Sequence, residues 1–350
     1  MKRKLLSRVS AVAMASAMMV SMFGMTTFAE GGVLGGDGSE AITNVDITKI
    51  VTTDGKSYAP DETFTFKVET GEKTTYYDEV VYAGVPGGLL PGAGADFDSD
   101  AELNNSYTKI GTLTTDASVF EGPGIYHYVV SENAGNFAGI TYDNAVYDVY
   151  LYVYGNGDEM YVGNIATVKQ GQEGGKADLT FTNDYGKNNG KLHDLTVTKD
   201  VTGNQGDTEK EFEFTITITG DEDNERFYMD VEGRVYTLVS GEEQSFGLAD
   251  GESAVIYGLS EGDKYVVTET DYTETDGYTT SVKVNNNDAA EALTTDEVTM
   301  GAADNNVVFT NNKEVSTPTG IIMNIAPYII LVAFAGIAAL VFLRRRNREF

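Results

Sequence analysis

"DLTFTNDY", residues 178–185, alternates apolar and polar side chains as a strand does, and then breaks its own rule. Side chains in a strand alternate faces, so Leu179 and Phe181 share one face and Asn183 falls next on it. "NNVVFTNN", residues 305–312, repeats the pattern with Val307, Phe309 and Asn311. A polar amide twice takes a position that the period assigns to the core.

Working upstream from each copy, the same anomaly recurs with other residue types. "VDITKIV", residues 45–51, puts Lys49 in the parity of Val45, Ile47 and Val51; "LTVTKDV", residues 195–201, puts Lys199 in that of Leu195, Val197 and Val201. Later in each half, Tyr126, Tyr128 and Val130 lead to Glu132, and Tyr265 and Val267 lead to Glu269. Each half therefore directs one Lys, one Glu and one Asn inward. The interval is 150 residues from Lys49 to Lys199 and 128 from Asn183 to Asn311, which describes a duplicated unit with a longer first copy.

Between these landmarks, short Val, Ile, Tyr, Phe and Thr runs such as "ETFTFKVE", "GIYHYVVSE", "AVYDVYLYVY" and "KEFEFTITITG" alternate with Gly, Asp and Asn turns. That pattern predicts an all-β chain, two tandem immunoglobulin-like β-sandwiches over 42–186 and 187–313. "GVPGGLLPGAGADFDSDAELNN", residues 84–105, reads as a long Gly-rich loop leaving the first sandwich, and "DYGKNNGKLHD", residues 184–194, as the linker.

The ends carry processing signals. Residues 1–29 combine Lys2, Arg3, Lys4 and Arg8 with an apolar run and a small-residue cleavage site, the form of a secretory signal peptide; residues 30–41 read as a flexible leader. Residues 321–343 are apolar enough for a transmembrane helix, and the arginines of 344–350 place that end in the cytoplasm. Between the ends, 16 basic residues face 53 acidic ones, a net charge of −37 that argues against nucleic acid or anionic lipid as a partner. The chain has no cysteine, so no disulfide stabilises an exported body.

A lone buried ammonium or carboxylate costs several kcal/mol unless paired or neutralised. A Lys–Glu salt bridge is one resolution. The other is chemistry: desolvation lowers a lysine pKa and raises a glutamate pKa, leaving a nucleophilic amine beside a carboxylic acid. The acid would hydrogen-bond the asparagine carbonyl and shuttle protons, ammonia would leave, and an isopeptide bond would join first strand to last.

Set in "TK", "YVVSE" or "YVVTE", and "FTN", the triplet resembles that of the intramolecular isopeptide domains of Gram-positive pilins. Residues 42–186 resemble the streptococcal pilin isopeptide-linkage (FctA-type) domain, and residues 191–313 a related CnaB-like domain. The resemblance implies a Lys49–Asn183 bond with Glu132 as its catalytic residue, and a Lys199–Asn311 bond with Glu269. The region 314–320 looks like a sortase sorting signal, with Thr317-Pro318-Thr319-Gly320 after Ser316 where the usual form has a leucine. Cleavage between Thr319 and Gly320 would pass the threonine carbonyl to an amine. The family places an acceptor lysine just before the closing strand of the first domain, where Lys169 and Lys176 stand; parity favours Lys176 as the solvent-facing one.

The implied protein is a structural, cell-surface pilin subunit, not an enzyme beyond its own single-turnover cross-linking. Its partners would be a sortase, other copies or other pilins, peptidoglycan and an unnamed host ligand. The alternative is a monomeric wall-anchored adhesin or stalk. No cofactor or metal is expected: His127, of outward parity, and His193 are the only histidines, and the acidic "DEDNE", 221–225, lacks the glycine and distal glutamate of a calcium loop. "GLSEG", 258–262, matches a nucleophile elbow but joins two strand runs, so a turn is expected there and a hydrolase is not.

Overall fold

The computed structural model describes residues 41–314, apart from 77, 100–101, 158, 173–175 and 221–223. The signal-peptide, sorting-signal and membrane-span segments lie outside the described residues. Among those described, no helix is long and apolar enough to cross a membrane.

Two β-sandwiches follow one another. In the first, one sheet has the order Thr180–Asp184, Asn44–Thr52, Ser106–Thr115, Leu89–Pro91. The facing sheet runs Glu159–Lys169, Val146–Asn156, Gly124–Glu132, and the free edge of Gly124–Glu132 is shared by Phe66–Thr70 and Glu79–Ala83. The second sandwich packs a sheet centred on Leu192–Thr202, Asn305–Asn312 and Ser253–Ser260 against one centred on Phe212–Thr219 and Lys264–Glu269. In each, the closing strand lies parallel to the opening strand and beside it: Thr180–Asp184 on Asn44–Thr52, and Asn305–Asn312 on Leu192–Thr202. Alternate residues of both sheets meet between them, and the two interiors form separate apolar clusters.

Two expectations change. The Gly-rich stretch 84–105 is not a loop throughout: Leu89–Pro91 extends the first sheet, Ala95–Phe97 pairs with Glu62–Phe64, and Leu89, Ala95 and Phe97 are buried. Its glycines permit close approach; a Cβ at Gly94 would lie 2.9 Å from the Phe64 carbonyl oxygen. Alternation is hard to see in strands of three residues set among glycines.

The segment 184–194 connects the domains but is docked rather than free. Tyr185 and Leu192 are buried in one cluster with Val51, Phe97, Tyr107 and Phe137, and Gly190 turns the chain at φ 76°. The domains touch elsewhere. Ser57 bridges Phe227, Tyr58 and Thr237 share a hydroxyl contact at 2.7 Å, and the Tyr185 hydroxyl donates to Glu225 Oε1 at 3.0 Å. Glu225, from the acidic run, is thus a buried interface residue rather than an open oxygen ligand.

Candidate functional site

Six polar residues marked by parity are all buried: Lys49, Asn183, Lys199 and Asn311 at 0% exposure, Glu269 at 1% and Glu132 at 8%. They form two triplets, one per sandwich. Lysine and asparagine sit on neighbouring parallel strands of one sheet; glutamate reaches them across the core from the other. The registers are the same. Lys49 is opposite Phe181 with Asn183 two residues on, and Lys199 is opposite Phe309 with Asn311 two residues on.

In the first triplet Lys49 Nζ stands 3.0 Å from Glu132 Oε2, and Asn183 Nδ2 donates to Glu132 Oε1 at 2.8 Å. The asparagine carbonyl oxygen faces elsewhere: it accepts the Asp143 backbone N–H at 2.8 Å. In the second, Lys199 Nζ is 3.4 Å from Glu269 Oε1, which accepts from Asn311 Nδ2 at 2.5 Å. The glutamate thus meets the amide nitrogen, not the carbonyl as the sequence argument supposed. That orientation puts the acid beside the group that would leave.

Burial dominates the electrostatics of both sites. It lowers the Lys49 pKa against the opposing pull of Glu132, and raises that of Glu132 against the pull of Lys49. Lys199 is lowered to about 8 by burial, and Glu269 is raised by the same cause. Each pair is displaced toward amine plus carboxylic acid, the form in which nitrogen carries a free lone pair.

Aromatic rings supply the dry environment. Lys49 Nζ lies 4.9 Å from the Phe64 ring centre, and Lys199 Nζ 4.6 Å from that of Phe212. Phe66 packs on Phe181 and is the register partner of Glu132; Phe214 packs on Phe309 and is the partner of Glu269. These four rings come from "FTF", 64–66, and "FEF", 212–214. The doubled Phe-x-Phe was legible as strand; its place as a lid over each triplet was missed, though its recurrence was a usable signal. Asp143 was missed as well. Besides its N–H, its carboxylate accepts from Ala145 N and Thr182 N, fixing the closing strand.

The chain is 32% identical over 303 residues to a pilin of Streptococcus pyogenes serotype M1, covering 82% of this chain and 86% of that pilin. It belongs to the pilin family. Residues 45–186 of this pilin match the Spy0128-like isopeptide containing domain, and residues 193–313 match a domain of unknown function (DUF7601). The crystal structure of the major pilin from S. pyogenes superposes with a TM-score of 0.59 at 25% identity, over 78% of this chain and 99% of that one. A second S. pyogenes major pilin, T3.2, gives 0.60 at 26% identity, over 79% and 99%. A pilus tip adhesin of S. pyogenes is 33% identical over 135 residues, 37% of this pilin and 18% of the adhesin.

The remaining candidates are scattered. Thr317, Pro318, Thr319 and Gly320 of this pilin lie outside the described residues. Lys169 ends the strand Glu159–Lys169 with Nζ 5.7 Å from the Tyr147 ring, while Lys176 is exposed ahead of the closing strand. His127 faces away from the core but is half-buried, with Nε2 2.8 Å from Asp148 and its ring stacked on Tyr150. Ser260 is buried, its hydroxyl on Asp263, where a strand turns into the next; no elbow forms. No cluster of metal-ligating side chains occurs among the described residues.

Proposed function

We propose that this pilin is an exported shaft subunit that cross-links itself at two sites and is then joined covalently to its neighbours. The observation that carries the reading is the paired triplet: amine, acid and amide in contact, shielded by rings, at the same register in both sandwiches. In the ground state the proton between Nζ and the carboxyl group can sit on either, and burial favours its place on oxygen. The Lys49 amine adds to the Asn183 side-chain carbon, and the carbonyl electron pair moves onto Oδ1. The Asp143 N–H stabilises that charge as an oxyanion hole does. Glu132 gives its proton to Nδ2, the carbon–nitrogen bond breaks, and ammonia leaves. Glu132 then takes the surplus proton from Nζ and is restored. Primary amide plus amine becomes secondary amide plus ammonia, with nothing oxidised. Lys199, Asn311 and Glu269 would repeat the sequence in the second domain.

Polymerisation is the second part. A sortase would cleave after Thr319 and transfer the threonine carbonyl to Lys176 of another copy, or in the last step to peptidoglycan. The alternative is a monomeric wall-anchored adhesin or stalk. Intact mass tests the chemistry: the wild type should lack one ammonia per domain, and Glu132→Ala and Glu269→Ala should each retain one. Ladders that survive boiling in detergent, and vanish with Lys176→Ala, are expected for a polymer; a single band would mean a stalk.

A further inference from the structure

Three buried side-chain polar atoms without a hydrogen-bond partner belong to neighbouring residues of the second sandwich: Glu269 Oε2, Asn311 Oδ1 and Thr280 Oγ1. No atom of the first triplet is in that condition. There the amide oxygen is held by the Asp143 N–H, whereas among the described residues no donor reaches Asn311 Oδ1. Yet an oxyanion must form at Asn311 Oδ1 if the amide is to be displaced.

Thr280 is placed to supply the donor. It lies on Thr279–Val284, antiparallel to the closing strand, and its Cα partner is Asn311. Residues directly opposite in an antiparallel pair project to the same face, with Cβ atoms about 4.5–5.5 Å apart. Both face the interior, Thr280 at 5% exposure and Asn311 at 0%. The next inward residue of the strand, Val282, is apolar, so the pattern calls for an apolar residue at 280 too. A buried hydroxyl with no partner is destabilising and calls for an explanation.

We infer that Thr280 is the oxyanion donor of the second cross-linking site, its O–H turning to Asn311 Oδ1 as the Lys199 amine adds to the side-chain carbon. The inference rests on the cross-linking reading above. The two sites then perform one reaction with different donors, a backbone N–H in the first and a threonine hydroxyl in the second. The proton that Glu269 passes to Nδ2 is not drawn from Thr280, which donates a hydrogen bond and keeps its proton.

The test follows bond formation after cell-free synthesis of the full chain, by intact mass and by cross-linked peptides, for wild type, Thr280→Val and Thr280→Ser. The first bond is the internal clock for synthesis, and resistance of the second sandwich to protease reports folding of each variant. Thr280→Val should form the second bond about 10²–10³-fold more slowly, the usual effect of losing one oxyanion donor. Thr280→Ser should restore the pace to near wild type. If Thr280→Val closes the second bond as fast as wild type, or Thr280→Ser is as slow as Thr280→Val, the assignment of Thr280 is wrong while cross-linking stands. If the wild type retains the ammonia of the second site, the cross-linking reading fails there and this assignment falls with it.

Discussion

Replacing Glu132 by glutamine keeps the shape of the first triplet and removes the acid. Glutamine still offers an oxygen to Asn183 Nδ2, which donates to Glu132 Oε1 at 2.8 Å, and still fills the space beneath Phe66. It cannot give a proton to the leaving nitrogen, so the bond between Lys49 and Asn183 should not form. Those residues are 134 positions apart. Closing a loop of that length lowers the entropy of the unfolded chain by an amount worth about 5 kcal/mol. For a domain of some 140 residues, roughly 3 °C per kcal/mol gives a fall of about 15 °C in the melting temperature of the first sandwich. The assay is calorimetry alongside intact mass, with the second sandwich as the reference in the same molecule. The reasoning is refuted if Glu132→Gln still loses its ammonia, or if the ammonia is retained and the first transition moves by less than about 3 °C, below one kcal/mol on the same scale.

Three further outcomes are expected. The rate of the second bond should be bell-shaped in pH, because the reactive pair shares one proton. Below the raised Glu269 pKa both groups are protonated and the amine is lost; above about 8, the lowered Lys199 value, the last proton goes and no acid remains. A rate that climbs steadily through pH 10 would contradict this. Phe212→Ala opens the ring beside Lys199, 4.6 Å away, admits water and returns the amine toward its ordinary pKa. It should destabilise the second sandwich by about 3–5 kcal/mol and slow its bond, read by denaturant titration and mass. Tyr185→Phe removes a hydrogen bond to the buried Glu225 carboxylate, worth about 1.5–3 kcal/mol. It should loosen the joint, so that relaxation measurements find the domains tumbling more independently; unchanged tumbling would mean the contact does not couple them.

Strand parity carried the candidate site a long way. Face depends only on alternation, a local property of the backbone, so Lys49, Glu132, Asn183 and their partners in the second half could be marked as inward without any knowledge of their neighbours. Docking of the linker through Tyr185 and Leu192 could not be marked in that way, because their burial depends on surfaces contributed by both domains. The Gly-rich stretch misled for the opposite reason, since Leu89 and Phe97 lie in strands too short to show a period.

What the chain determines by itself is which side chains point inward and that the arrangement occurs twice, because alternation and duplication are written in residue order. Which strand lies beside which, the two-residue offset of amide from amine, the crossing of the core by each glutamate, the N–H that holds the Asn183 oxygen and the register that sets Thr280 opposite Asn311 were decided only by the tertiary structure. The physical reason is separation: these contacts join residues more than 30 positions apart, and their geometry is set by how two twisted sheets pack, which no local pattern encodes.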